Sequence, residues 1–289
     1  MARRSDGPEP PAVRRITVPV ETSAPGGMVN TYIVDVPGEG GDRIRILVDP
    51  GAQSDDLDAV VLAPDEAHDS TTGADYIVVT HTHPDHVGAV DAYAEATHAT
   101  VLAHADHVDR FRAATGLEPD ATIAEGETIG ATGVEVLETP GHAPDGLSFR
   151  VPGAGDDTPG SILVGDLAVT EGSVAVAAPD GDLIAYLASL DRLRETDAER
   201  LWPGHGPAIT DPEATCTRLI EHRRERERRI VEAIEAGASD VSGVLAAAYR
   251  KDLTGVEELA RRTVRAHLAK LVREGRIDRS WLAGDGGLR

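Results

Sequence analysis

Cysteine, lysine and aromatic residues are nearly missing from this chain. One cysteine, Cys216, stands alone in 289 residues, there are two lysines, Lys251 and Lys270, and aromatics make up 3%. A single cysteine excludes an internal disulfide framework and any Cys-rich zinc site. Cys216 is therefore expected to be a small buried apolar residue rather than a nucleophile. With so few aromatics, the core has to be built from Val, Ile, Leu and Ala. No apolar run approaches the roughly 18 residues needed to cross a bilayer. The opening Met1–Pro11 is polar and Pro-rich, with no apolar stretch of a signal peptide behind it. Residues 1–12 are expected to be a disordered tail, no membrane partner is expected, and the expected location is cytoplasmic.

Arginine supplies nearly all the positive charge, and the formal net charge is −22. An acidic, Lys-poor surface suits a halophilic setting, where dense carboxylates hold water and salt screens their mutual repulsion. The length admits one large domain, or one medium domain with a small one.

What the chain does have is concentrated at Tyr76-Ile-Val-Val-Thr-His-Thr-His-Pro-Asp-His-Val-Gly88. The apolar run Tyr76 to Val79 reads as a buried strand. Four metal-capable side chains come directly after it: His81, His83, Asp85 and His86. On extended backbone, residues two apart share a side, so His81 and His83 can face one ion together. Pro84 turns the chain, and Asp85 and His86 fall where a helix would begin, aimed at a second ion. Three imidazoles and a carboxylate in six positions suit a borderline divalent metal such as zinc. A strand-to-helix loop merely rich in His has no other motive for such a density.

In chain order, Arg15 to Val20, Met28 to Val36 and Arg45 to Asp49 are β-branched and separated by Gly/Pro turns, so they read as strands. Ser54 to Leu62 reads as a short helix capped by Ser54, and Asp85 to Ala96 as another. Strands are expected at 100–103, 133–139, 147–151 and 161–164, with a helix ending near Ala113. Asp182 to Arg194 is amphipathic. Past Asp211 the character changes. Helices are expected at 217–235, 241–249 and 257–274, then a strand from Ile277 to Leu282 and a flexible tip from Gly284 to Gly287. Three helices and a short β element resemble a winged-helix module. Residues 207–289 carry 16 Arg/Lys against 14 Asp/Glu, a net of +2, which leaves −24 of the total −22 to residues 1–206.

Three more polar residues fall after apparent strands: His142 in Thr139-Pro-Gly-His142, Asp166 in Ile162-Leu-Val-Gly-Asp166, and His205 between two glycines in Leu201-Trp-Pro-Gly-His-Gly206. Glycine lets the backbone approach a metal centre closely. Each signal alone is weak, but their order and positions reinforce the first stretch. Asp49 in Val-Asp-Pro-Gly reads either as a hydrogen-bond partner of a ligating imidazole or as a turn cap. His68, His98, His104, His107, His222 and His267 are expected in surface or structural roles.

The set His-Thr-His-Pro-Asp-His at 81–86, His142, Asp166 and His205 resembles the metallo-β-lactamase-fold hydrolase superfamily over roughly residues 13–210. The resemblance implies an α/β fold, an αββα sandwich, followed here by a small winged-helix-like domain at 211–289. It implies two divalent ions, with His81, His83 and His142 on the first, Asp85, His86 and His205 on the second, and Asp166 bridging. It also implies proton transfer by Asp85. The metals would be zinc, with iron or manganese as alternatives. Two ions about 3.5–4 Å apart can share a bridging water and lower its pKa to about 7, giving hydroxide at neutral pH.

The tail, Glu221-His-Arg-Arg-Glu-Arg-Glu227 and His267-Leu-Ala-Lys-Leu-Val-Arg-Glu-Gly275, resembles the β-lactamase-like protein 2 branch. That branch implies single-stranded RNA as the leading phosphodiester substrate, with an Arg-bearing last helix suited to phosphates. A glyoxalase II-like thioesterase shares all the ligands and is the alternative, although the tail does not resemble that enzyme's glutathione-binding segment. Gly146 stands where many relatives carry a second His, which puts contacts to substrate in question. True β-lactamases typically alter the Asp-His pair. A non-catalytic nucleic-acid-binding protein is the reading from another class, supported only by the tail. Esters, thioesters and phosphodiesters therefore all remain as substrate classes.

Overall fold

The alternation of β-branched runs with turn residues builds two sheets. In the computed structural model, the described residues are 12–22, 24–38, 43–62, 73–153, 155, 158–249 and 253–282. The expected N-terminal tail, save Ala12, the tip at 284–287 and His68 lie outside them. The chain divides into two units, 1–138 with 147–166 and 197–210, and 139–146 with 167–196 and 211–289.

In the first unit, one sheet orders β1 (Ala12–Pro19), β2 (Met28–Pro37), β3 (Arg43–Val48), β4 (Tyr76–Val78), β5 (Thr100–His104) and β6 (Ala121–Ile123) side by side. β1 to β3 pair antiparallel, and β3 to β6 run parallel. The parallel strands are joined through α1 (Asp55–Val61), α2 (Pro84–Val87), α3 (Val90–Thr97) and α4 (Val108–Thr115). As expected, Ser54 caps α1, its hydroxyl accepting from Leu57 N at 3.2 Å. The helix expected across 85–96 is instead two, because the backbone leaves the helical region at Ala89. The second sheet orders β10 (Arg200–Pro203), β9 (Ser161–Gly165), β8 (Leu147–Val151) and β7 (Glu135–Glu138).

Tyr32, Ile46, Val78, Phe149 and Leu163 fill one apolar core formed by both sheets. Leu57, Val61, Val90, Tyr93 and Phe111 fill the other, where helices cover the first sheet. These cores are aliphatic in bulk, but both phenylalanines, Tyr32 and Tyr93 sit inside them, at most 2% exposed. Each such ring removes on the order of 150–250 Å² from water, so few are needed.

In the second unit, α5 (Leu183–Arg194) begins at Asp182, whose carboxylate accepts from Ile184 N and Ala185 N. α6 (Pro212–Glu235), α7 (Val241–Ala248) and α8 (Glu257–Arg273) share a core of Ile230, Val244, Leu245, Val264, Leu268 and Leu271. Cys216 is fully buried, as its isolation in the sequence suggested. The strand expected at 277–282 is not there: Arg279–Leu282 is a 3-10 turn, and among the described residues no partner strand pairs with it. Asp278 explains the turn, since its carboxylate accepts from Ser280 N and closes the chain locally.

Candidate metal centre

Parallel strands empty at the same edge, and here those ends carry the chemistry. β4 leads into Thr80 and His81, and Thr80 O accepts from Leu147 N at 2.7 Å. β9 and β10 run parallel, which sets Gly165-Asp166 beside Gly204-His205, with Gly204 N donating to Gly165 O at 2.8 Å. A register shift at Trp202/Pro203 re-aims the chain just before His205.

The residues singled out at these ends converge. His81 Nε2 lies 2.9 Å from His83 Nδ1. Ligand atoms of His81, His86 and Asp166 stand within 4.8 Å of one another, as do those of Asp85, His86 and His205. His205 Nε2 is 3.2 Å from Asp85 Oδ2 and 3.4 Å from Asp166 Oδ1. Gly204 permits this approach: a Cβ there would lie 2.5 Å from Asp166 Oδ1 and 2.6 Å from His86 Cε1. His142 belongs to the second unit, on the loop 139–146, with Nδ1 2.7 Å from Ala175 O.

Each of three imidazoles spends one nitrogen on a group that can only accept. His86 Nδ1 meets Asp49 Oδ2 at 2.9 Å, His205 Nδ1 meets Met28 O at 2.7 Å, and His142 Nδ1 meets Ala175 O. In the neutral ring the proton must then sit on Nδ1, which leaves Nε2 with its lone pair. Among the described residues His86 Nε2 is buried with no hydrogen-bond partner, its nearest acid oxygens at 3.5 and 3.8 Å.

The charge balance points the same way. Burial alone would lower the pKa of His86, but the Asp49 and Asp166 carboxylates overcome it and hold that pKa well above the usual value. Burial opposes protonation of His205 too, yet Asp166 and Asp85 push it up to about 9. For Asp85, burial raises the pKa, and the imidazoles of His205 and His86 outweigh it, leaving the carboxyl below its ordinary range. Three acids among imidazoles, with no Lys or Arg in the set, form a donor group that fits divalent cations.

Residues 24–205 match the Metallo-beta-lactamase superfamily. The chain belongs to this family. As a metallo-beta-lactamase superfamily member it is a metal-dependent hydrolase, and its mixed α/β architecture is the superfamily's. A "Beta-lactamase-like protein 2 homolog" from Drosophila melanogaster is 28% identical, covering 92% of each chain. "Thioesterase pkgB" from Emericella nidulans is 33% identical over 71% of this chain and 55% of its own. A metallo-beta-lactamase family protein from Thermus thermophilus has the same fold, with a TM-score of 0.68 at 23% identity over 91% of this chain and 94% of its own.

Sequence reasoning left Asp49 open between two roles and passed over Thr80 and Asn30. Asp49 proves to be the partner of a site imidazole. It also accepts from Thr80 N at 2.6 Å and Thr80 Oγ1 at 2.7 Å. Asn30 ties β2 to the His205 loop: Nδ2 donates to Pro203 O and Gly206 O at 2.9 Å, and its backbone N donates to Gly204 O. The signal was present as a buried amide inside the apolar run Met28 to Val36, since a buried amide needs partners. Of the remaining histidines, His104 accepts from Asp106 N, His98 ends α3 in a left-handed turn, and His267 is buried among α6 to α8.

Proposed function

We propose that the chain is a binuclear hydrolase of esters or thioesters. In this reading His81, His83 and His142 would hold a first divalent ion, Asp85, His86 and His205 would hold a second, and Asp166 would serve both. Zinc is the metal the imidazole-rich donor set favours, with iron or manganese as the alternatives. The observation that carries the reading is the convergence of His81, His83, Asp85, His86, Asp166 and His205 within the first unit, with Nδ1 of His86 and His205 committed to acceptors. Residues 13–210 form the catalytic domain in this account and 211–289 an appended helical one, in a cytoplasmic, salt-adapted enzyme.

Bound there, a pair of divalent cations supplies Lewis acidity and water activated at neutral pH. The protein's own part is orientation and proton handling. Asp49, Met28 O and Ala175 O fix the rings through Nδ1, so each Nε2 is preorganised. Asp85, held charged at neutral pH, accepts the proton of the attacking water and returns it to the departing thiolate or alkoxide as the acyl bond to sulfur or oxygen breaks. Burial of His81, His86 and His205 keeps bulk water from competing.

The thioesterase-named relative supports an acyl substrate. So does the charge: −24 on residues 1–206, from the total of −22, repels a polyanion. A second reading, cleavage of single-stranded RNA, draws on the β-lactamase-like protein 2 homolog, whose similarity extends over 92% of both chains and hence into the Arg-bearing helices. The test is a side-by-side assay of zinc-loaded protein on a small-thiol thioester, single-stranded RNA and a generic phosphodiester. Turnover of the thioester alone, lost in His83→Ala, is the expected result; cleavage of RNA alone would reverse the ranking.

A further inference from the structure

The loop that carries His142 is held in place by α5 and, through a neighbouring strap, by α6 and α8, all within the second unit. Gly141 O accepts from Asp182 N at 2.9 Å, and Pro140 O accepts from Ser189 Oγ at 2.8 Å. Gly141 itself has φ of +134°, and a Cβ there would collide with the Tyr186 backbone, so the loop lies hard against α5. His142 Nδ1 then reaches Ala175 O at 2.7 Å.

Ala175 sits in a strap, residues 169–178, that has neither helix nor strand. Three guanidinium groups occupy its carbonyls. Arg218 of α6 donates to Val169 O, Thr170 O and Gly172 O at 2.7, 3.1 and 2.6 Å. Arg223 of α6, only 4% exposed, donates to Val174 O. Arg262 of α8 donates to Ala178 O at 2.6 Å, and Ala178 N returns a bond to Arg262 O at 3.1 Å. Ala175 is thus bracketed on both sides. In a chain where Asp and Glu outnumber Lys and Arg by 50 to 28, carboxylate partners are abundant. Three arginines aimed at one strap's backbone are a structural use of that scarce charge, because the rigid fork fixes carbonyls that have no ladder of their own.

We propose that Arg218, Arg223 and Arg262 are positioning residues for the metal site. They fix the strap, the strap fixes Ala175 O, and Ala175 O holds His142 in the tautomer that carries its proton on Nδ1 and its lone pair on Nε2. The helices α6 and α8 thereby serve metal retention, and the inference rests on the assignment of His142 as a ligand.

The test titrates the full-length metal-free chain with Co2+ against a chromophoric chelator and records the visible spectrum of the cobalt form. His142→Ala is expected to abolish tight binding of one ion. Arg218→Gln and Arg262→Gln are expected to weaken cobalt affinity by about 10-fold or more, the scale of lost outer partners, and to alter the ligand-field bands, with the far-ultraviolet circular dichroism unchanged. Arg218→Lys is expected to recover part of the loss. Arg223, being buried, is the variant most exposed to misfolding, so Arg218 and Arg262 carry the test. Unchanged affinity and spectrum in both glutamine variants, with His142→Ala impaired, would overturn the positioning role. Unchanged binding in His142→Ala would overturn the ligand assignment itself, and this inference with it.

Discussion

Asp49 Oδ2 lies 2.9 Å from His86 Nδ1, and both side chains are buried. The same carboxylate holds Thr80 through two bonds, so one acid orients both an imidazole and the residue preceding His81. Asp49 has φ of +53°, a left-handed conformation that Asp and Asn tolerate better than other residues. Asp49→Asn therefore keeps the backbone, removes the charge and turns one acceptor oxygen into an amide donor, so the bonds to Thr80 and His86 cannot all be kept. Zinc affinity is expected to fall about 10- to 100-fold, measured by competition with a chelator, with little change in far-ultraviolet circular dichroism.

Gly204 stands where any side chain would collide with Asp166 and His86. Gly204→Ala should push the His205 loop away from both. The expected outcome is loss of bound metal and of turnover, read by elemental analysis and thioester hydrolysis, while the apolar core formed by the sheets stays intact.

Acid should weaken the C-terminal helices in two stages. Burial, then the charges of Arg223 and Arg226, lower His267 to about 4, so it is neutral when folded at pH 6. The unfolded chain takes up that proton near pH 6.5, so stability falls as pH drops from about 6.5 to 4, by about 3 kcal/mol in total. Glu227 titrates next: burial raises its pKa, but His267, Lys270 and Arg276 outweigh this and hold it at about 2. A depressed carboxyl stabilises above its unfolded pKa, and that contribution is lost as pH falls from about 4.3 towards 2. Urea unfolding from pH 7 to 4 checks the first stage, and His267→Gln should flatten the slope.

A net charge of −22 repels itself at low ionic strength. Raising KCl screens that repulsion, so the melting temperature is expected to climb steadily between dilute buffer and molar salt. A flat or falling profile would count against salt adaptation.

Much of this was legible in the residues. The strand ends at Val78, Gly165 and Pro203 could be read because β-branched runs stop at Gly, Pro or His, and the imidazoles and carboxylates just past them mark the site. Ser54 announced its helix by capping, and the amphipathic spacing of 182–194 announced α5. The wing at 277–282 misled, because a β-rich composition cannot form a strand without a partner, and Asp278 offered the chain a local turn instead. β6 went unseen: Ala121–Ile123 is three residues long, too short for a pattern of its own, and forms by pairing with β5 and burying Ile123. Asn30 and the arginine-held strap were invisible for a related reason, since their partners lie far along the chain and no local pattern names them.

The central claim is that paired cations sit among these side chains. Crystals of the zinc-loaded protein measured at the zinc absorption edge test it most directly. The account predicts two anomalous peaks about 3.5–4 Å apart, ringed by His81, His83, Asp85, His86, His142, Asp166 and His205. Absence of both peaks, or zinc bound away from these residues, would contradict it.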